Sequence, residues 1–296
     1  MHIDPLALAA PGDLSPALAG ALIKGRVSDT QIEATVLDFA RRGLLTIEPV
    51  SAKKVQMRLT GDGKGLTGFE QSVWDGLEEQ ADESDHTLSG DDIARARLRW
   101  SAPREALSRD LTERGWYDPE AASARRRPLY IAGAVGIALA AVSILLIVLS
   151  KEGWAAIGMV ICLIAGVAAF IGAYSVPNTT VEGEIAAAPW RGYQGSVTDR
   201  AYEPNLDTDL PYIVAMGLLG KLSSRLKAAS ERGYSPAWFH AENDGQQVAT
   251  TGMYGFYPYW IVFHSSMSPV SSGGSASGGY SGGGAAGGGG GSAGSF

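Results

Sequence analysis

The chain has 296 residues, 45% hydrophobic and 19% charged, with a formal net charge of −7, which gives length for about two ordinary domains. Residues 1–128 carry 17 Lys+Arg against 21 Asp+Glu and residues 177–270 carry 6 against 9, so neither part is the basic body whose nucleic-acid affinity comes from neutralising phosphates. The single cysteine, Cys162, excludes an intrachain disulfide and a thiolate zinc cluster.

The first stretch, "MHIDPLALAAPGD", has no basic n-region and too short an apolar run for a secretory signal, which agrees with a cytoplasmic N-terminus. Ser15-Pro16 then reads as an N-cap followed by proline at the first helical position. Ser28 with Gln31 forms a capping box, and Arg42-Gly43 supplies a cation and a glycine stop, so a helix is predicted between them. Its apolar face is Ile32, Val36, Phe39 and Ala40, which leaves Asp29, Gln31, Glu33, Thr35 and Asp38 pointing outward. Carboxylates at the positions a recognition helix presents to base edges repel phosphates, so a packing or protein-docking role is expected rather than DNA reading.

The segments "LLTIEPV" and "KVQMRLT" predict a hairpin. Gly63, Gly65 and Gly68 match G-x-G-x-x-G, but the preceding strand alternates like a half-exposed one. Thr67 with Glu70 already explains the next helix start as a capping box. "HTLSGDD" reads as a short strand leading into helix, and "DLTERGWY" at Asp110 to Tyr117 repeats the helix-ending pattern of "DFARRGLL" at Asp38 to Leu45. Helix, helix, hairpin is the order of a winged helix, so residues 1–128 are expected to form a cytoplasmic head of two tandem winged-helix-like (α+β) units.

Residues 129–150 and 154–176 are two runs without a single charge, each as long as the roughly 20 apolar residues that span a bilayer. They read as a two-helix transmembrane hairpin rather than as buried helices of a soluble core. Arg125, Arg126 and Arg127 abut the first span, whereas the turn at Lys151 to Gly153 pairs one cation with one acid. The positive-inside rule therefore predicts a multi-pass inner-membrane protein with both termini in the cytoplasm. Small residues recur at Ala132, Gly136 and Ala140 in the first span and at Gly158, Cys162 and Gly166 in the second. Such ridges let helices approach closely in lipid, so they are expected to pack on each other, with a homo-oligomer contact as the alternative. Neither run holds an ionisable acid, base or histidine, which argues against a proton or ion path.

Residues 177–270 are expected to form a cytoplasmic C-terminal segment. "DLPYIVAMGLLGKLSSRLKAASERG" reads as one amphipathic helix near 209–232 that packs on the head or lies along the membrane. "GMYGFYPYWIVFHSSM" reads as a strand or aromatic belt beside the membrane. The Gly/Ser-rich tail at 271–296 is expected to be disordered.

Taken in order, "LSPALAGALIKGRVSDTQIEATVLDFARRGLLTIE", "LTGFEQSVWDGL", "LSRDLTERGWY", a two-span hairpin, "DLPYIVAMGL" and a glycine-rich terminus resemble the C-terminal region of the DUF2207 family, the YciQ-like predicted membrane proteins. The resemblance covers nearly the whole chain and implies no catalytic residues. Members of that family usually begin with a signal peptide, an extracytoplasmic β-rich domain and a further span, and this sequence starts after all of these, so that either it is a shortened relative or the true start lies upstream.

No constellation for an enzyme is legible, and no cofactor or metal is expected. His2, His86, His240 and His264 fit no metal-ligand spacing, and the adjacent acids Glu78-Glu79 and Asp91-Asp92 suit solvated helix faces. Gly279-Tyr280-Ser281-Gly282-Gly283 matches a nucleophile-elbow pattern but lacks the flanking strand and helix. The expectation is a mainly α membrane protein acting as a non-enzymatic interaction or scaffold module. Its partners are the lipid bilayer and another protein, with nucleic acid disfavoured. The alternative is a membrane-tethered DNA-binding regulator, which needs an exposed basic wing through Lys53, Lys54 and Arg58.

Overall fold

The computed structural model describes residues 10–51, 54–150, 154–199, 203, 205–239, 242–243, 246–247 and 256–267. The legible caps set the first elements. Helix α1 (Pro16–Lys24) starts on Ser15, whose Oγ accepts from Leu18 N, and stops at Gly25 with φ 65°. Helix α2 (Asp29–Arg41) starts where Ser28 N donates to Gln31 Oε1 at 2.7 Å, and the chain reverses at Gly43, φ 74°. Strands β1 (Leu45–Ser51) and β2 (Lys54–Leu59) follow as an antiparallel pair, Leu45 opposite Leu59 and Ile47 opposite Met57. Those four side chains and Val55 are buried, as period-2 alternation over one covered face requires.

Helix α3 (Gly68–Glu78) opens with Thr67 N donating to Glu70 Oε2, and β3 (Thr87–Leu88) adds to β2 so that Leu88 faces Met57. Helices α4 (Gly90–Leu98) and α5 (Ser101–Glu113) complete this half. The second Arg-Gly turn is not followed by a second hairpin. Tyr117 makes one antiparallel bridge with Thr179, and the chain enters α6 (Pro119–Ser150) at once. Asp118, whose Oδ1 accepts from Ala121 N at 2.8 Å, and Pro119 at the first position start that helix where a strand would have had to continue.

Helix α6 runs through Arg125–Arg127 and Pro128, so it begins ahead of its apolar run, and α7 (Trp154–Ser175) packs antiparallel on it. The turn between them lies outside the described residues. Beyond come α8 (Val181–Thr198), α9 (Leu206–Ala215), α10 (Leu219–Glu231), the two-residue strands β4 (Glu242–Asn243) and β5 (Gln246–Gln247), and α11 (Phe256–Met267).

Two expectations for this region change. The single helix expected near 209–232 is two, because the chain closes at Gly217 (φ 70°) with Leu218 N bonding Ile213 O at 2.9 Å. The aromatic stretch is a helix rather than a strand where it is described, with Pro258 in the first turn of α11, where its missing N–H costs nothing. The Gly/Ser-rich tail at 271–296, expected to be disordered, lies outside the described residues.

The segments before and after the hairpin share one core. Ile32, Phe39, Met57 and Trp74 meet Trp190, Tyr193, Ile213, Leu222 and Phe263. Phe39 packs edge-on to Trp74 with ring centroids 5.8 Å apart, and Trp190 stacks on Tyr212 at 5.4 Å. At the α1–α9 crossing a Cβ on Gly20 would lie 2.5 Å from Ala215 O, so only glycine admits this approach. Of the options open for the C-terminal segment, the structure takes packing on the head, and the hairpin is an insertion into one body.

Candidate functional site at the neck

The hairpin is held by backbone proximity. A Cβ on Gly136 would stand 2.8 Å from Gly166 Cα and 3.0 Å from Cys162 O, and one on Gly133 would strike the Phe170 ring at 2.7 Å. Ala140 is buried, whereas Gly158 lies at the margin of the seam, where even an added Cβ would stand 4.0 Å from Ser143 Oγ. Ala132, expected on the ridge, is exposed. The contact face runs through Gly133, Gly136 and Ala140, whose 3-then-4 spacing follows one side of a helix as 132–136–140 also does, so the sequence alone left two adjacent faces open. Outside this seam Ile131, Val135, Ile157, Ile161, Ile164 and Ile171 are all exposed.

Where the hairpin meets the body, the two legs are stitched to each other and to the loop after α1. Asp118 N bonds Asn178 O, Asn178 N bonds Gly25 O, and Thr180 N bonds Trp116 O, all within 2.8–3.0 Å. Tyr117 Oη donates to Ala21 O at 2.6 Å, and burial pushes that phenol's pKa up. Arg126 reaches across the legs from α6, donating to Asn178 Oδ1 at 2.8 Å and to Val176 O. Arg125 and Arg127 are exposed beside it. The three arginines thus divide: the middle one clamps the neck, and its neighbours face outward.

The end of α1 and the loop after it also bring two cations to the exit of α7. The Arg26 guanidinium stands 4.4 Å over the Tyr174 ring, and Lys24 Nζ donates to Thr30 Oγ1 at 2.7 Å. A cavity of about 290 Å³ opens between them, walled also by Ser175, Val176 and Pro177. Burial, reinforced by the Arg26 charge, lowers the Lys24 pKa to about 8.

Above the neck, the face of α2 expected to point outward is buried. Gln31, Glu33, Thr35 and Asp38 are each at most 4% exposed, and only Asp29 is partly open. Gln31 Nε2 donates to Ala215 O at 2.7 Å, closing the end of α9. Glu33 Oε1 lies 2.5 Å from His264 Nδ1 on α11. Asp38 accepts from Arg41, and Arg42 bridges Asp38 and Glu70. Burial raises the Glu33 pKa, and the hydrogen bond to Glu33 raises that of His264, so the pair retains a proton that the separated groups would lose. Each polar residue found a partner over a hundred residues away or one turn along, which the helical pattern of α2 alone does not encode.

The remaining motifs find structural explanations. Gly63 and Gly65 have φ of 63° and 81°, and a Cβ on Gly63 would lie 2.5 Å from the Trp74 indole nitrogen. Arg58 of the supposed wing lies 3.4 Å from Glu48, while Lys53 and the Lys54 side chain lie outside the described residues. Among the described residues no three His, Cys, Asp or Glu side chains converge as a metal site. His2, His240 and the Ser281 motif lie outside the described residues.

Helices α6 and α7 are long and apolar enough to cross a membrane, with mean hydropathies of 1.6 and 2.5 over their spans, and those spans are only 11% buried by the rest of the chain. Helices of a soluble core would be covered instead, so the fold defines a membrane protein with two candidate spans. The model of the family described as "Predicted membrane protein (DUF2207) C-terminal domain" matches residues 6–202, and the chain belongs to that family. Neither the comparison with curated proteins nor that with solved structures gave a match.

Proposed function

We propose that the protein is a non-enzymatic membrane-anchored interaction or scaffold module, whose body sits on the cytoplasmic face of the inner membrane with both termini on that side. The observation that carries this reading is the insertion of the hairpin within a single core, so that one folded body is pinned to the bilayer by two legs. Arg125 and Arg127 at the body end of α6 support the cytoplasmic placement through the positive-inside rule. Within the body, α1, α2 and the β1–β2 hairpin, with β3 as third strand, have a winged-helix-like order. The helix that would read bases in such a unit is occupied on the face that α9 covers and at Glu33, which His264 of α11 caps, and this favours protein over nucleic acid as partner.

Val181 and Ile185, one turn apart on α8, are 72% and 69% exposed just beyond the hairpin and give an apolar face for that partner. A photo-crosslinking residue placed at Ile185 of the full chain in native membranes is expected to give a discrete adduct with another protein. An adduct with a second copy would make the contact homo-oligomeric. Lipid adducts alone would assign the stripe to the bilayer surface and sink the protein-docking role. Salt-dependent DNA retention by the solubilised full chain would favour the regulator instead; none is expected.

A further inference from the structure

We infer that the cavity between the α1–α2 loop and the exit of α7 is a phosphate-binding site at the depth of the lipid headgroups, with Lys24 and Arg26 as its cationic ligands. Three independent features converge there. The first is the void itself, about 290 Å³, at the small end of ligand-pocket sizes and matched to a headgroup.

The second is its charge. Among the described residues Arg26 has the Tyr174 ring as partner and no carboxylate, and Lys24 spends one of its three donors on Thr30. The nearby acids are committed elsewhere: Glu33 to His264, Asp29 to Arg97 and Arg104. Among the described residues two cations therefore line one void with no carboxylate in ion-pair contact, the Glu33 charge reaching Lys24 only from a distance. A guanidinium fork beside an ammonium suits an oxyanion whose charge is spread over several oxygens.

The third is depth. Tyr174 is 67% exposed at the penultimate position of α7, where aromatic rings mark the boundary between hydrocarbon and headgroups. The site is also rigid. Asn178 N holds Gly25 O at 2.8 Å, and a Cβ on Gly25 would lie 2.6 Å from Pro177, so the turn between the two cations is fixed against the helix end. Arg126 is part of the clamp and Arg125 and Arg127 lie outside the cavity, which separates this site from the general basic collar.

The test uses the full chain in bilayer discs of zwitterionic phosphatidylcholine doped with anionic phosphatidylglycerol, followed by native mass spectrometry of retained lipid. The wild type is expected to keep phosphatidylglycerol preferentially. Arg26→Ala is expected to lower retention about five-fold and adding Lys24→Met to lower it about as much again, since each direct hydrogen bond to the bound phosphate contributes roughly a factor of five. Arg125→Ala with Arg127→Ala should leave it unchanged. Equal loss in that pair would reduce the effect to diffuse surface charge and overturn the pocket. A second arm titrates inorganic phosphate into the detergent-solubilised chain. Phosphate binding sensitive to Arg26→Ala without lipid retention assigns the site to a free phosphate. No Arg26-sensitive binding in either arm overturns the proposal. Because Arg26 is exposed, its variants should melt with the wild type, and Arg26→Lys should restore part of the retention.

Discussion

In the hairpin, isoleucines and valines face outward and glycines meet at the seam; in α2, a glutamine, a glutamate, a threonine and an aspartate are buried. Both regions invert the usual distribution of residue types, for opposite reasons. The hairpin's apolar faces suit a solvent as apolar as themselves, so nothing drives them together except close backbone packing. The polar face of α2 is withdrawn from water by helices from the far side of the hairpin, and each group is tolerated because it has a partner. What surrounds a helix, rather than its own pattern, decides which face is inside.

The largest blow to this contrast comes from the body's core. Phe39→Ala removes a ring that is fully buried against Trp74, and a loss of about 3–5 kcal/mol is expected. Pulse proteolysis of the reconstituted chain should show the body cut and the bilayer-embedded hairpin protected. Simultaneous loss of the hairpin fragment would mean that the neck transmits unfolding into the spans, and the two regions would have to be treated as one cooperative unit.

A smaller effect tests whether the buried polar groups are partnered. Gln31→Ala leaves Ala215 O without its donor at the end of α9, a penalty of about 1–3 kcal/mol. Gln31→Glu keeps the acceptor for Ser28 N that Gln31→Ala also removes, yet should still destabilise, because a carboxylate cannot donate to a carbonyl. In the hairpin the matching test is Gly136→Leu, which should speed maleimide labelling of Cys162 by separating the helices while the body's melting stays put. A changed oligomer size with the monomer still folded would instead give Gly136 to a contact between copies.

These variants also mark where the sequence was legible. Caps such as Ser15, Ser28 and Thr67 are local events, settled within three or four residues, and they stand where their pattern put them. The spans were legible because twenty uncharged residues have few alternatives. The seam was off by one residue, at Ala132 against Gly133, because small side chains filled both neighbouring faces. The cover over α2 was illegible: Gln31 and Glu33 look like solvated positions until Ala215 and His264 arrive from beyond the hairpin. The cavity at the neck escaped for the same reason, since Lys24, Arg26 and Tyr174 carry no shared motif.

The smallest predicted effect is the most diagnostic of that cover. Glu33 and His264 both hold their proton more tightly in the fold than apart, Glu33 through burial and His264 through its hydrogen bond to that carboxylate. Lys24 and Asp29 also act on Glu33, with opposite signs. A raised folded-state pKa gives stability that is complete below the unfolded value, near 6.5 for the histidine, and is lost as pH rises through the folded value. Lys24 works in the other direction and in a higher window: held at about 8 against 10.5, it makes the fold gain stability as pH rises between those two values. The body's melting temperature should therefore fall by a few degrees above pH 6.5 and level off or recover in the alkaline range. Glu33→Gln keeps an acceptor for the ring and removes the shared proton, so it should flatten the lower limb and leave the upper one. If the lower limb persists in Glu33→Gln, the proton belongs to another group, and the link between α2 and α11 is packing alone.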